Sequence, residues 1–385
     1  MKVTGLECVD FRNIRNVRIE PCEGVNVIYG DNAQGKTNLL ESIWLFTGCR
    51  SFRGAKDAEL INFNAKKAKL SLDYYGYDRD QNISLEIEKG RKFDLNGVNC
   101  KSPSKIMSEF LAVVFSPVHL SLIKDGPYER RKFLDIAISQ LKPKYAVSLS
   151  QYNKAVAQRN ILLKDIAYHG ELYDMLDIWE DRIAFYAGEV VRQRIGYVNR
   201  LAPFCSEIYG GISNKKEELR VSYVQACPAV GDNKTELYES FKSLIFASRK
   251  NDILTGSTSV GPHRDDIEIK IDGLTARSYG SQGQQRSAAL ALKLGEAAVI
   301  KEFSGEQPVA LLDDVMSELD MSRRDYLLNH LDGRQVFITC CDPETVRLME
   351  TGRGFYVEKG TVRQDTDEKA GEVHAENETP TCESE

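Results

Sequence analysis

Gly30-Asp31-Asn32-Ala33-Gln34-Gly35-Lys36-Thr37 fits the phosphate-loop pattern G-x-x-x-x-G-K-[ST] at every fixed position. The glycines let successive backbone N–H groups curl around an anion. Lys36 has the reach to meet β and γ phosphate oxygens, and Thr37 sets a hydroxyl where a magnesium ion takes one. Val25-Asn26-Val27-Ile28-Tyr29, just before, is a short β-prone run, and Asn38-Leu39-Leu40-Glu41-Ser42-Ile43-Trp44-Leu45-Phe46, just after, carries apolar residues at helical spacing. Strand, loop and helix follow in the required order, and the helix N-terminus adds its dipole to the anion site. Gly30 through Asn38 read as a nucleotide-binding segment.

A phosphate loop needs a carboxylate at the end of a neighbouring strand to hold Mg²⁺, directly or through water. Val309-Ala310-Leu311-Leu312-Asp313-Asp314 offers one: four apolar residues bury a strand and present Asp313 at its carboxyl end, where ligands bind in open α/β sheets. Asp314 is then placed to orient or deprotonate an attacking water. The alternative is that both acids cap a following turn. Lys36 and Asp313 stand near opposite ends of the chain. A kinase or small GTPase rarely needs that separation, whereas an ATPase head interrupted by a helical excursion does.

At 385 residues, with 42% hydrophobic and 28% charged residues, the chain can hold two or three domains with real cores. Its apolar runs, such as Leu111-Ala112-Val113-Val114-Phe115, are far short of a membrane span, and strand-like sequence starts at once without a signal peptide. A cytoplasmic protein with no membrane partner is expected. Nine cysteines are scattered without C-x-x-C spacing, which argues against a disulfide framework and a zinc site. The formal net charge of −6 is misleading, because Asp365, Asp367, Glu368, Glu372, Glu376, Glu378, Glu383 and Glu385 face Lys369 alone in the tail. Without that tail the chain is close to neutral. The tail lacks apolar periodicity and reads as disordered.

Short alternating runs such as Ala68-Lys69-Leu70-Ser71-Leu72-Asp73-Tyr74 fill the first third, punctuated by Asp78-Arg79-Asp80-Gln81-Asn82 and Asn96-Gly97. Residues 129–166 and 171–209 are long, charged and heptad-like, and the break at Tyr168-His169-Gly170 implies an antiparallel helical hairpin. A strand is expected at Leu219-Arg220-Val221-Ser222-Tyr223 and a helix over about 235–250. Strand-type runs then return: Ile267-Glu268-Ile269-Lys270-Ile271 with the turn Asp272-Gly273, then Val309–Leu312 and Val336-Phe337-Ile338-Thr339. The last two are continuous enough to be buried parallel strands.

Ser278-Tyr279-Gly280-Ser281-Gln282-Gly283-Gln284-Gln285-Arg286, ahead of a helical run, reads alone as a loop before a helix. It also resembles the S-x-G-Q signature of the ABC ATPase superfamily, with Ser281, Gly283 and Gln284 in the matching places. Several further stretches, in order from residue 1 to about 360, resemble the RecF family of bacterial DNA-repair ATPases, related to SMC heads. They are Asp10-Phe11-Arg12-Asn13; Gly35-Lys36-Thr37-Asn38-Leu39-Leu40-Glu41; Gly126-Pro127-Tyr128-Glu129-Arg130-Arg131; Gln158-Arg159-Asn160; Gly261-Pro262-His263-Arg264-Asp265-Asp266; and Leu311-Leu312-Asp313-Asp314-Val315-Met316-Ser317-Glu318-Leu319-Asp320.

That resemblance implies an α/β fold: an ABC-type ATPase head of mixed strands and helices, interrupted by a largely helical arm domain. The expected division is 1–128 head, 129–250 arm, 251–362 head and 363–385 acidic tail. It implies ATP and Mg²⁺ as cofactors, Arg12 near the nucleotide, Arg53 in an arginine loop, Ser317 to Asp320 as a D-loop at a dimer interface, and Thr339 sensing the γ-phosphate. Ser281 would bind the γ-phosphate held by a second subunit, so an ATP-dependent homodimer completes the site. Where the family carries an acidic residue after Pro117, this chain has Val118-His119, and Asp314 stands in place of the usual Glu. The implied function is an ATP-driven clamp on double-stranded DNA near single-strand/double-strand junctions. With RecR and RecO partners it would load recombinase, and slow hydrolysis would release the DNA. Lys142, Lys144, Lys154, Arg159 and Lys164 are candidate DNA contacts or a solvated face; Arg130 and Arg131 are open between a functional and a solvated role. A transporter-type ABC subunit, a phosphoryl-transferring kinase and a non-hydrolysing repair scaffold are the rival readings.

Overall fold

The computed structural model describes residues 1–166, 168–231, 233–341 and 352–364. The acidic tail from Asp365 onward therefore lies outside the described residues, as does Asp342. The first segment contributes β1 (Lys2–Phe11), β2 (Ile14–Ile19), β3 (Val25–Tyr29), α1 (Lys36–Leu45), β4 (Ala68–Gly76), β5 (Arg79–Ile87), β6 (Arg91–Leu95), β7 (Val98–Cys100), β8 (Ala112–Phe115) and the single turn α2 (Ser121–Lys124). Four long helices follow, α3 (Pro127–Leu141), α4 (Pro143–Ile166), α5 (Leu176–Ile212) and α6 (Lys234–Thr255), with β9 (Leu219–Val224) before the last of them. The third segment holds β10 (Asp266–Ile271), β11 (Leu274–Thr275), α7 (Ala276–Tyr279), α8 (Gln282–Ser304), β12 (Val309–Leu312), α9 (Val315–Glu318), α10 (Met321–His330), β13 (Val336–Cys340), β14 (Gly352–Glu358) and β15 (Thr361–Gln364).

Three sheets result. An antiparallel sheet in the order β2-β1-β4-β5-β6-β7 is built from hairpins whose strands alternate buried and exposed residues, as one covered face requires. Tyr77-Asp78 and Asn96-Gly97 both adopt positive φ, the two-residue turn whose twist suits a hairpin. The break expected over residues 78–82 is thus confined to Tyr77-Asp78. Arg79 to Asn82 belong to β5, held in register by pairing with β4.

The sheet that matters for the site has the order β15-β14-β3-β13-β12-β8. β14, β3, β13, β12 and β8 are mutually parallel, and every residue of β8, β12 and β13 is buried. Continuous Val, Leu, Ile and Phe runs suit a strand covered on both faces. The carboxyl ends of β3, β12 and β13 consequently lie side by side, although β3 comes from the first tenth of the chain and the others from the last quarter. Among the described residues no helix is long and apolar enough to cross a membrane.

The stretch 129–166 is two helices rather than one. Pro143 lacks the N–H that would continue the ladder, and Lys142 before it takes φ −134° and ψ 87°, outside the helical region. α4 and α5 then pack as an antiparallel pair with α6 alongside. A small sheet β11-β10-β9 pairs residues on either side of position 250, so the arm and the following head segment are joined by backbone hydrogen bonds.

Arg159 is not a surface cation. It is fully buried, donating to Asp252 at 2.7 Å, Glu180 at 2.8 Å and Thr258 at 3.0 Å. Its guanidinium therefore ties α4, α5 and α6 to the loop that follows them and is unavailable to DNA. Lys142 is half-buried, bonded to Gln193 and lying over Phe303, whereas Lys144, Lys154 and Lys164 remain exposed. Arg130 is likewise buried, in a bidentate pair with Asp266 at 2.7 and 2.9 Å, and Arg131 donates to the Asp265 carbonyl. Together they fasten α3 to the Gly261–Asp266 stretch.

Candidate functional site

The loop Gly30–Gly35 leaves β3 and turns directly into α1. Gly30 and Gly35 have φ of 141° and 117°, and a Cβ on either would meet the Val357 carbonyl oxygen at 2.4 Å or the Asn13 side chain at 2.7 Å. Both positions admit only glycine, and Ala33 between them also takes the left-handed conformation. Lys36 is 5% exposed. Its ammonium donates to the carbonyls of Gly30 at 2.7 Å and Asp31 at 3.0 Å and meets the Cys341 sulfur at 3.3 Å. Asn32 accepts from the Cys341 thiol, and Gln34 accepts through its side chain from the Lys359 N–H, bracing the loop against the β14–β15 turn.

At the heart of the site three oxygens converge. The Thr37 hydroxyl donates to Asp313 Oδ1 at 2.7 Å, and the Thr339 hydroxyl donates to the same oxygen at 3.2 Å. Thr339 Oγ1 in turn accepts from the Asp314 N–H at 2.9 Å. β13 runs between β3 and β12, so its last turn inward brings Thr339 to the point where the loop helix and the β12 carboxylate meet. Asp313 is buried, which pushes its carboxyl above the ordinary range; the Thr37 and Thr339 hydroxyls oppose that push, and Asp314 adds to it. Asp314 itself takes a left-handed backbone, φ 50°, as the chain leaves β12 for α9.

Arg12 and Arg53 lie behind the loop and converge on Glu41, which is fully buried. Arg12 grips it bidentately at 2.9 and 3.1 Å, Ser51 donates to it, and Arg53 stands 4.0 Å away while bonding Asn38 at 2.9 Å. Asn13 joins the two flanks of the loop: its amide donates to the Gln34 carbonyl and its oxygen accepts from Asn38, both at 2.8 Å. Glu41, Asn13 and Cys341 had no assigned part in the sequence reading. A lone acid inside the apolar run Leu39-Leu40-Glu41-Ser42-Ile43 was the available signal for Glu41. Asn13 and Cys341 act through partners far away in the chain, for which no local pattern exists.

Ser281, Gly283 and Gln284 form the first turn of α8. Ser281 is its N-cap: Oγ accepts from the Gln284 N–H at 3.2 Å, and Gln284 Oε1 accepts from the Ser281 N–H at 2.7 Å. Gly283 bonds Arg323, and Gln284 bonds Glu217. Among the described residues none of the three has a recorded hydrogen bond to the phosphate loop. Asp320 caps α10, and the Arg323 backbone N–H, followed by the Arg323 charge, lowers its carboxyl. At Val118-His119 the imidazole turns back, Nδ1 accepting from the Ser116 N–H at 3.0 Å, and burial holds it neutral.

The family described as RecF/RecN/SMC N terminal domain matches residues 2–364. A DNA replication and repair protein RecF of Clostridium acetobutylicum is 41% identical over 342 residues, 88% of this chain and 93% of its own. The chain belongs to the RecF family. Another RecF, from Acetivibrio thermocellus, is 38% identical over 354 residues, 90% of this chain and 95% of its own. A solved structure of the recombination mediator protein RecF-ATP in the RecFOR pathway superposes with a TM-score of 0.88 at 38% identity, covering 95% of this chain and 98% of that one. An Smc head domain from Pyrococcus furiosus shares the fold at a TM-score of 0.52 and 18% identity, over 94% of this chain and 96% of that one. This RecF-family chain thus has the α/β fold of an ABC-type ATPase head that carries a helical arm.

Proposed function

We propose that this chain is an ATP-operated DNA-binding ATPase of replication and recombinational repair, in which two heads close on two ATP molecules and clamp duplex DNA near a single-strand junction. The observation that carries the reading is the division of the site. Thr37, Asp313 and Thr339 meet at one oxygen in a single chain, while Ser281 stands exposed at the start of α8 with its partners elsewhere. A second copy is the natural source of the missing contact.

In this reading Gly30 to Asn38 wrap the phosphates, with Lys36 exchanging its loop carbonyls for β and γ oxygens. Thr37 and Asp313 are hard oxygen donors already brought together, and they fit Mg²⁺. The ion would neutralise charge on the phosphate oxygens. Asp314 orients or deprotonates the attacking water, and Thr339, bonded to both Asp313 and the Asp314 N–H, registers the γ-phosphate. Arg12 and Arg53 supply positive charge behind the loop, and Ser281, Gly283, Gln284 and Asp320 face the partner's nucleotide. Turnover is slow, since the Asp314 carboxylate is one methylene shorter than Glu, and DNA stimulates it. Binding to DNA is to phosphates through residues such as Lys144, Lys154 and Lys164, hence salt-sensitive and indifferent to sequence. Mediators of the RecR and RecO type are the protein partners.

Light scattering on Asp314→Asn, with and without Mg-ATP, tests the reading. Mass should double with ATP, and Ser281→Arg in the same background should abolish the doubling. A chain that binds ATP yet stays monomeric with DNA present would overturn the two-headed site.

A further inference from the structure

Glu217 lies in the connection between α5 and β9, outside every motif so far described, yet its two carboxylate oxygens join the signature to the arm. Oε1 accepts from Gln284 Nε2 at 2.8 Å, and Oε2 accepts from the Tyr209 hydroxyl at 2.6 Å. Tyr209 is fully buried in the last turn of α5, the helix that runs the length of the arm. The same helix packs along α8, where the Cys205 thiol reaches the Ala291 carbonyl at 3.6 Å.

The chemistry of the Gln284 amide gives this contact its meaning. A carboxylate only accepts, so Glu217 fixes which end of the amide is NH₂ and which is oxygen. With Nε2 committed to Glu217, Oε1 must face the Ser281 N–H, as observed at 2.7 Å. The capping box then leaves Ser281 Oγ accepting from the Gln284 N–H, and among the described residues no acceptor is recorded for its own hydrogen. A flipped amide would set NH₂ against N–H and open the box. Glu217 and the Ser281 N–H thus select the same orientation of the amide, the one that closes the box around Ser281.

We propose that Glu217 is a positioning residue: it orients the Gln284 amide, through it prepares the Ser281 hydroxyl to receive a phosphate oxygen, and links both to the end of the arm helix. The proposal rests on the reading that Ser281 completes a second copy's nucleotide site. A shift of α5 relative to α8 moves Tyr209 against Glu217 and so reaches the signature without passing through the chain's own phosphate loop.

The test uses the full chain carrying Asp314→Asn. Glu217→Ala should leave binding of a fluorescent ATP analogue to the monomer unchanged and weaken ATP-dependent dimerisation about tenfold, the usual consequence of losing one charged hydrogen bond. Glu217→Gln, which keeps an acceptor for Gln284, should restore most of the loss. Adding Glu217→Ala to Gln284→Ala should cost nothing further, because both act through one amide. Additive losses, or failure of Glu217→Gln to rescue, would overturn the proposal. If the parent fails to dimerise, the two-headed reading falls by itself. Hydrogen exchange at the Ser281 and Gln284 amides of the ATP-free chain then decides the inference: faster exchange in Glu217→Ala sustains the orienting role, and unchanged exchange removes it.

Discussion

The Thr37 hydroxyl donates to Asp313 across 2.7 Å, joining residues 276 positions apart. Two strands that are not neighbours, β3 and β12, are locked by this bond, with Thr339 of the strand between them adding a second donor.

Burial raises the Asp313 carboxyl. An acid whose folded pKa lies above its unfolded one stabilises the fold below that pKa and loses the contribution as pH rises. Above its folded pKa the ionised Asp313 therefore weakens the ATP-free fold. Asp313→Asn should raise the melting temperature at pH 7, and the gain should shrink as pH falls through the acid's own titration. Hydrolysis should vanish throughout. Calorimetry across pH alongside phosphate release checks both halves.

Glu41 is fully buried and holds the half-buried Arg12 in a bidentate pair. Glu41→Ala leaves that guanidinium uncompensated and should cost about 3 kcal/mol, read from the denaturant midpoint. Replacing both partners, Arg12→Met with Glu41→Leu, should recover stability but not ATP affinity, because the Arg12 guanidinium is gone and Arg53 alone remains behind the loop.

Arg159→Met should destabilise the arm by about 3 kcal/mol or more, since Asp252 and Glu180 lose their buried partner. Measured at equal folded fraction, its DNA affinity should keep the salt dependence of the parent. Lys154→Gln should do the reverse, leaving the melting temperature in place and lowering the salt slope by about one.

His263 accepts from the Tyr152 hydroxyl at 2.5 Å and meets the Thr258 carbonyl at 3.0 Å. A carbonyl only accepts, so Nε2 carries the proton and Nδ1 receives the tyrosine. Burial, with Arg264, Arg131 and Arg194 nearby, lowers its pKa from 6.5 to about 4. A base held neutral loses stability as pH falls through that window, by up to roughly 3 kcal/mol. His263→Gln should flatten the decline, as urea unfolding between those limits would show.

The phosphate loop and the two buried strands were legible because each is a local pattern: fixed glycines and a lysine in one case, unbroken apolar runs in the other. By its charge alone Arg159 reads as a surface cation, yet the buried positions of α4, Tyr152, Ala155, Leu162 and Ile166, advance by three and four residues and pass through 159. Spacing outranked charge there. The pairing of β9 with β10 and the grip of Glu41 on Arg12 depend on approach between distant segments, which no window of sequence contains.

β3 receives both of its neighbours late. Val25 pairs with Val336 on one side and with Gly352 on the other, so a ribosome that has made the phosphate loop still has most of the message to read before either edge of that strand is covered. A nascent or prematurely stopped chain carries the loop without the strands that hold it. The setting in which the loop is held thus waits on residues 336–340 and 352–356, about three hundred positions after the loop itself.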